Sequence, residues 1–355
     1  MAKLRRRCGR LETVGILLAC LGGACSADGG FPMSIPDDGS GRDDGADVTE
    51  PDVPDDVAEP DGTEVPAEAD VPVEPDGSPD ELDVADVEPP PPVPIADIDD
   101  LRLYINLGDS LAAGYNATGR NGSGGHGYAR LMLDNHPDRP EYDGHFLRAP
   151  YPDVQFVDLG ESGATTSDAL ANLRSALGGT LPASVDGDVL VSLTCGGNDF
   201  NDDITTIILR AATEAAAARL QGNYREIFRL LRERYEDAAA GHVVVFLVTN
   251  VHDPTGGTGA IPPGFDAGFC ATINNPRLVP LRAVAIGNLA VYNTAIADVV
   301  AELAGWLVDN HAVFFDHGMN AGAERWLSDD CVHPTDEGHH QLRREEWFVL
   351  TGERF

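Results

Sequence analysis

Five times after residue 100 the sequence sets a short apolar run and follows it with helical periodicity. The apolar runs are "LRLYINL" (101–107), "VQFVDLG" (154–160), "GDVLVSLTCGG" (187–197), "HVVVFLVTN" (242–250) and "AVFFDH" (312–317). The helical segments are 127–136, 166–177 with Thr and Ser at its start, 203–236 with a break expected near Gly222, 277–308 and 335–350. A continuous apolar strand such as 242–250 suits a sheet covered on both faces, the usual setting of parallel strands. The alternation therefore predicts an α/β domain built on a doubly wound parallel sheet of five strands. In such folds ligands bind beyond the C-terminal ends of the strands. A Gly/Pro-rich loop, 251–276, and the segment 116–150 are expected to shape whatever pocket forms there.

The first hundred residues cannot contribute to that core. Residues 1–10 carry Lys3, Arg5, Arg6, Arg7 and Arg10, and the run from Thr13 to Ala24 is uncharged and largely apolar. Such a run is too short to span a bilayer as a helix, which takes about 20 residues. A basic start, a short apolar core and small residues after it make 1–25 a secretory signal. "GGAC" at Cys25 and "LLAC" at Cys20 both resemble a bacterial lipoprotein cleavage box, with Cys25 preferred for its longer uncharged stretch. Plain cleavage near "CSA", giving a secreted protein, competes with lipidation. Residues 26–100 hold 25 acidic residues against one basic, Arg42, within a total formal charge of −35. A segment of that composition buries too little apolar surface to offset its chain entropy, so a disordered acidic linker is expected. Residues 101–355 remain as one domain with 18 basic against 33 acidic residues. That balance excludes nucleic acid as a partner, since phosphate contacts need a basic face.

Four polar clusters follow the strands at the same edge of the expected sheet. Ser110 stands in "INLGDSLAAGY", Gly163 in "GESGATT", Asn198 in "CGGNDF", and Asp330 with His333 in "DDCVHP". Each alone is ordinary turn chemistry. Together they supply what serine acyl transfer needs: a nucleophile, a base, a carboxylate to orient the base, and donors for an oxyanion. In a tight loop, the three-residue step from Asp330 to His333 lets the carboxylate reach one imidazole nitrogen while the other faces outward. Asp316–His317 is the rival pair and reads as a strand-end polar pair. His126 reads as loop, and His339 and His340 as members of the last helix. The G-x-S-x-G elbow of α/β-hydrolases is absent around Ser110.

"GDSL" (108–111), "ESGATT" (161–166), "GGND" (196–199) and "DCVHP" (330–334) occur in the block order of the SGNH or GDSL hydrolase family, which this chain resembles over 101–345. The resemblance implies a three-layer α/β/α, flavodoxin-like fold and an ester hydrolase that uses no metal or organic cofactor. It implies Ser110 as nucleophile, His333 as base and Asp330 as its orienting partner. The implied oxyanion hole is the N–H of Ser110, the N–H of Gly163 and the amide of Asn198. The chain departs from the family where Asp158 stands in the second block in place of the usual asparagine.

Among the cysteines after the signal, Cys195, Cys270 and Cys331, an odd number leaves at least one unpaired. A Cys270–Cys331 bridge would pin the 251–276 loop to the loop carrying Asp330 and His333. Cys195 reads as a small buried hydrophobe. The expected function is a carboxylic-ester hydrolase of esterase or lipase type. A carbohydrate O-deacetylase or acyltransferase and a non-catalytic, surface-tethered binding module are the alternatives. The expected partners are a small-molecule, glycan or lipid ester and a membrane reached only through an N-terminal lipid anchor. The expected enzyme is a monomer, at the cell surface or in the periplasm.

Overall fold

A computed structural model of the chain describes residues 98–119, 125–201, 203–266 and 268–355. The expected signal 1–25 with Cys20 and Cys25, and nearly all of the expected linker 26–100, lie outside the described residues.

The strands are β1 (Leu101–Gly108), β2 (Gln155–Gly160), β3 (Asp188–Thr194), β4 (Val244–Thr249) and β5 (Trp306–Val308). They pair in parallel throughout, in the order β2-β1-β3-β4-β5. The helices are α1 (Tyr128–Leu133), α2 (Thr166–Leu177), α3 (Gly197–Asn201), α4 (Ile204–Ile208), α5 (Arg210–Tyr235), α6 (Gly268–Ile273), α7 (Arg282–Glu302), α8 (Asn310–Phe314) and α9 (Asp336–Thr351). This is the expected flavodoxin-like three-layer α/β/α architecture.

The period-2 alternation of a strand sends neighbouring side chains to opposite faces. Leu103, Ile105 and Leu107 of β1 and Val244, Phe246 and Val248 of β4 join one core with Leu173 of α2, Leu220 and Ile227 of α5 and Ile296 of α7. Tyr104 of β1 and Val245 and Leu247 of β4 join the other with Met132 of α1, Phe314 of α8 and Leu342 and Val349 of α9. Each such buried side chain contributes about 1.5–3 kcal/mol over its exposed state. Both faces of the central strands are therefore dry.

Several expected elements differ. The fifth strand is Trp306–Val308, paired to β4 through Leu247–Trp306, Val248–Leu307 and Thr249–Val308, and not 312–317. Residues 310–314 are helical because the Asp309 side chain accepts from the Ala312 N–H and caps them. The expected break at Gly222 does not occur; α5 runs through it, and the chain breaks at Leu209 between α4 and α5. One exposed glycine costs a helix about 1 kcal/mol. The buried stripe Ala216, Leu220, Tyr224, Ile227 and Leu231 on α5 outweighs that. The 251–276 loop also contains α6.

Candidate active site

Ser110 follows directly on the C-terminal end of β1, and two glycines make its position available. Gly108 has a φ of +142°, and a Cβ there would lie 1.9 Å from the Thr194 carbonyl oxygen of β3. A Cβ on Gly160, at the end of β2, would lie 2.4 Å from the Ala113 backbone nitrogen. Only glycine lets the three strand ends close this tightly. The turn is then tied down: Asp109 N–H donates to the Thr194 carbonyl (2.8 Å), and Asp109 Oδ1 accepts from the Leu111 N–H (2.9 Å). Burial pushes the Asp109 pKa up to about 7, against the opposing pull of that bond and of His333. Asp158 accepts from Asn106 Nδ2 (2.8 Å) and the Gly160 N–H (3.1 Å), so the family's departure braces the strand ends. Ser110 itself is 5% exposed.

The loop before α9 brings Asp330 and His333 to that serine. His333 Nε2 lies 2.8 Å from Ser110 Oγ, and His333 Nδ1 lies 2.7 Å from Asp330 Oδ2. The other carboxylate oxygen, Oδ1, accepts from Ser328 Oγ (2.7 Å), the His333 N–H (2.9 Å) and the Val332 N–H (3.0 Å). Burial works against the charge on Asp330. The bonds from the His333 ring and backbone, Ser328 and Val332 outweigh it and hold the carboxyl well below the usual carboxylate range. The carboxylate is thus fixed in rotation and permanently charged at neutral pH.

The second and third clusters brace each other. Asn198 Nδ2 donates to the Ala164 carbonyl (2.9 Å), and Asp199 accepts from both the N–H (2.8 Å) and Oγ1 (2.6 Å) of Thr166 at the start of α2. Gly163 lies exposed in the turn between β2 and α2, with open space where a side chain would be. Asn198 and Ser110 line one pocket with Thr194 and His252. Its walls are apolar: Ile204, Ile207 and Ile208 of α4, Phe269 and Ile273 of α6, and Ile286 and Leu289 of α7. No described residue of 116–150 lines it, contrary to expectation, because that segment packs against α9 instead. A disulfide joins Cys270 of α6 to Cys331, with Cα atoms 5.4 Å apart, so the apolar wall is covalently tied to the Asp330–His333 loop. Cys195 is buried and unpaired. The rival Asp316–His317 pair is not joined to this site; His317 stacks on Trp326 and contacts the Glu324 carbonyl. His339 and His340 are on α9 as expected.

The family model of GDSL-like lipases and acylhydrolases matches residues 107–341. The chain belongs to that family. As a GDSL hydrolase it acts on ester bonds. No curated protein matches it significantly. Among solved structures it is similar to the lipase Lip_vut3 from a goat rumen metagenome, at 18% identity and a TM-score of 0.48 over 70% of this chain and 97% of that one. It is similar to an extracellular lipase from Streptomyces rimosus, at 23% identity and a TM-score of 0.45 over 70% and 98%. It is also similar to the acetylxylan esterase Axe2 from Geobacillus stearothermophilus, at 16% identity and a TM-score of 0.43 over 72% and 96%.

Sequence reasoning missed three residues of this GDSL hydrolase's site. Asn116, at a φ of +65°, donates to both Asp330 Oδ2 (3.0 Å) and Ser328 Oγ (2.9 Å). The Tyr115 ring packs on the His333 ring with centroids 4.3 Å apart. His252 is buried, and desolvation pulls its pKa down to about 4 despite its bond to the Val332 carbonyl. It is therefore neutral at pH 7 and donates from Nε2 to that carbonyl (2.9 Å). His252 follows β4 at the edge where ligands bind, so the strand-end rule could have found it. Asn116 and Tyr115 act across more than 200 residues of sequence, and no local pattern reports that.

Proposed function

We propose that this GDSL hydrolase cleaves carboxylic esters by two-step acyl transfer through Ser110, His333 and Asp330. The observation that carries the reading is the pair of short contacts from the two His333 ring nitrogens, 2.8 Å to Ser110 Oγ and 2.7 Å to Asp330 Oδ2. Asp330 holds the Nδ1–H tautomer, which leaves the Nε2 lone pair on the serine hydroxyl. Ser110 Oγ attacks the ester carbonyl as Nε2 takes its proton. The imidazolium is stabilised by the charged Asp330 and then protonates the departing alkoxide, which leaves as the alcohol. Water, deprotonated by the same nitrogen, attacks the acyl-serine; the acyl–Oγ bond breaks, the acid leaves, and the imidazolium returns the proton to Ser110 Oγ.

The developing oxyanion is held by the N–H groups of Ser110 and Gly163 and the amide of Asn198. An amide carries two N–H donors. The bond from Asn198 Nδ2 to the Ala164 carbonyl uses one and aligns the other. Each such donor contributes about 2.7–4 kcal/mol to the transition state.

The apolar walls beside Ser110 favour an acyl group longer than acetyl, because an acetyl group would leave Ile208, Phe269 and Ile273 unfilled. A p-nitrophenyl ester series from acetate to octanoate tests this. The reading expects kcat/KM to rise beyond acetate and Ser110→Ala to abolish turnover in a folded protein. A maximum at acetate would favour the deacetylase reading. The basic and apolar start of the chain, and the disulfide, which suits an oxidising compartment, support export. We infer anchoring through lipidated Cys25, with Cys20 the alternative, and the acidic segment as a spacer.

A further inference from the structure

A second cluster of titratable side chains lies apart from Ser110. His126 follows the segment that carries Tyr115 and Asn116, His136 lies just past α1, and His340 sits on α9. Their rings converge: centroids are 4.2 Å apart for His126–His136, 5.2 Å for His126–His340 and 5.7 Å for His136–His340. His126 Nδ1 is 3.0 Å from His340 Nε2. One ligand atom from each of His126, His136 and Asp138 lies within 4.8 Å of the other two.

We propose that the His126 and His136 imidazoles and the Asp138 carboxylate form a site for a divalent transition ion of the zinc class, with His340 beside it as the partner of the His126 ring. Neutral imidazole nitrogens are the commonest protein ligands of such ions. Tetrahedral zinc with bonds of about 2.0–2.1 Å places neighbouring ligand atoms about 3.3–3.4 Å apart, and the three ligand atoms already lie within 4.8 Å of one another. The Tyr142 hydroxyl lies 2.7 Å from His340 Nδ1. His340 Nδ1–H donates to that oxygen and Nε2 accepts from His126 Nδ1–H, which fixes the His126 tautomer and ring plane as outer partners of metal sites do. Two imidazole nitrogens and one carboxylate oxygen select zinc, cobalt, nickel or copper over calcium or magnesium. Asp138 is exposed and His126 half-buried, which leaves an approach from solvent.

An ion there takes no part in ester cleavage. It clips the segment after β1 to the residues just past α1. That segment is already fastened by the Thr118 N–H and hydroxyl to Asp336 (both 2.7 Å) and by the bond from His126 N–H to the Thr118 carbonyl (2.9 Å).

The test uses the full chain, stripped with chelator and dialysed. Zn2+ is titrated by calorimetry, Co2+ by its visible absorption, and melting is followed with and without Zn2+. The wild type should take up one tight equivalent, give a tetrahedral Co2+ spectrum and melt at a higher temperature with the ion. His126→Ala should weaken that site by more than about 100-fold, and His340→Phe, which removes the partner of the His126 ring, by about 10–100-fold. Asp138→Asn, at an exposed carboxylate, serves if His126→Ala fails to fold. The many carboxylates of 26–100 bind ions in every variant, so the difference between variants isolates the histidine site. No tight equivalent in the wild type, or equal binding in wild type and variants, overturns the proposal.

Discussion

Replacing Asp330 by asparagine tests the orienting role in a way the structure makes unusually definite. An asparagine can place its oxygen at either carboxylate position, and the neighbours decide which. At Oδ1 three donors converge: Ser328 Oγ at 2.7 Å, the His333 N–H at 2.9 Å and the Val332 N–H at 3.0 Å. An NH2 group there would face the backbone N–H groups of Val332 and His333, two donors it cannot satisfy. The oxygen must therefore stay at Oδ1, and the NH2 takes the Oδ2 position, 2.7 Å from His333 Nδ1. It then donates to Nδ1 and forces the proton onto Nε2, which can no longer accept from Ser110. The NH2 also meets Asn116 Nδ2, a donor 3.0 Å away. Loss of the correct tautomer and of the charge facing the imidazolium should cost about 10⁴-fold in kcat, about 5.5 kcal/mol. KM should change little, since the acyl pocket is untouched. Steady-state hydrolysis of p-nitrophenyl butyrate, with circular dichroism to verify folding, measures both. A folded Asp330→Asn enzyme within tenfold of the wild-type kcat would refute the reasoning, as would a loss carried entirely by KM.

Burial of Glu346 raises its pKa to about 8 against its bond from Ser192. The folded state thus keeps a proton that the unfolded chain releases near pH 4.5, and stability falls as pH rises from there to about 8. Glu346→Gln should flatten that fall in melting curves, whereas an unchanged slope would remove Glu346 as its source. His252 and His339 have the opposite sign: desolvation lowers both to about 4 although each bonds a backbone carbonyl. The unfolded chain takes up their protons near pH 6.5, so stability should fall as pH drops from 6.5 to 4, and His252→Gln should lessen that fall in acid melting curves. The Cys270–Cys331 bridge closes a separation of 61 residues, worth about 4 kcal/mol by loop entropy. Serine at both positions should lower denaturant stability by about 2–4 kcal/mol, and an unchanged midpoint would contradict that.

Residues that act near their own position in the chain were legible. Asp330 and His333 sit three residues apart on one loop, and β4 announces itself by six successive apolar residues, 243–248, ending at the polar Thr249 and Asn250. β5 was not legible. It has three residues and follows α7 after a short turn, so it carries no alternation to read. The apolar "AVFFDH" drew the assignment instead, although Asp309 in front of it is a helix cap. The pocket wall was half legible. The 251–276 loop supplies Phe269 and Ile273, but α4 lines the pocket only because the chain turns at Leu209 rather than at Gly222. Asn116 and Asp330 are 214 residues apart, and only the closed fold makes them neighbours.

The central claim is that Ser110 is the nucleophile. A fluorophosphonate reacts with a serine whose proton is drawn off by an adjacent base, and peptide mass mapping locates the adduct. The account predicts one adduct per chain, on Ser110, abolished in Ser110→Ala and greatly slowed in a folded His333→Ala variant. An adduct on another residue, or esterase activity that survives Ser110→Ala, would contradict it.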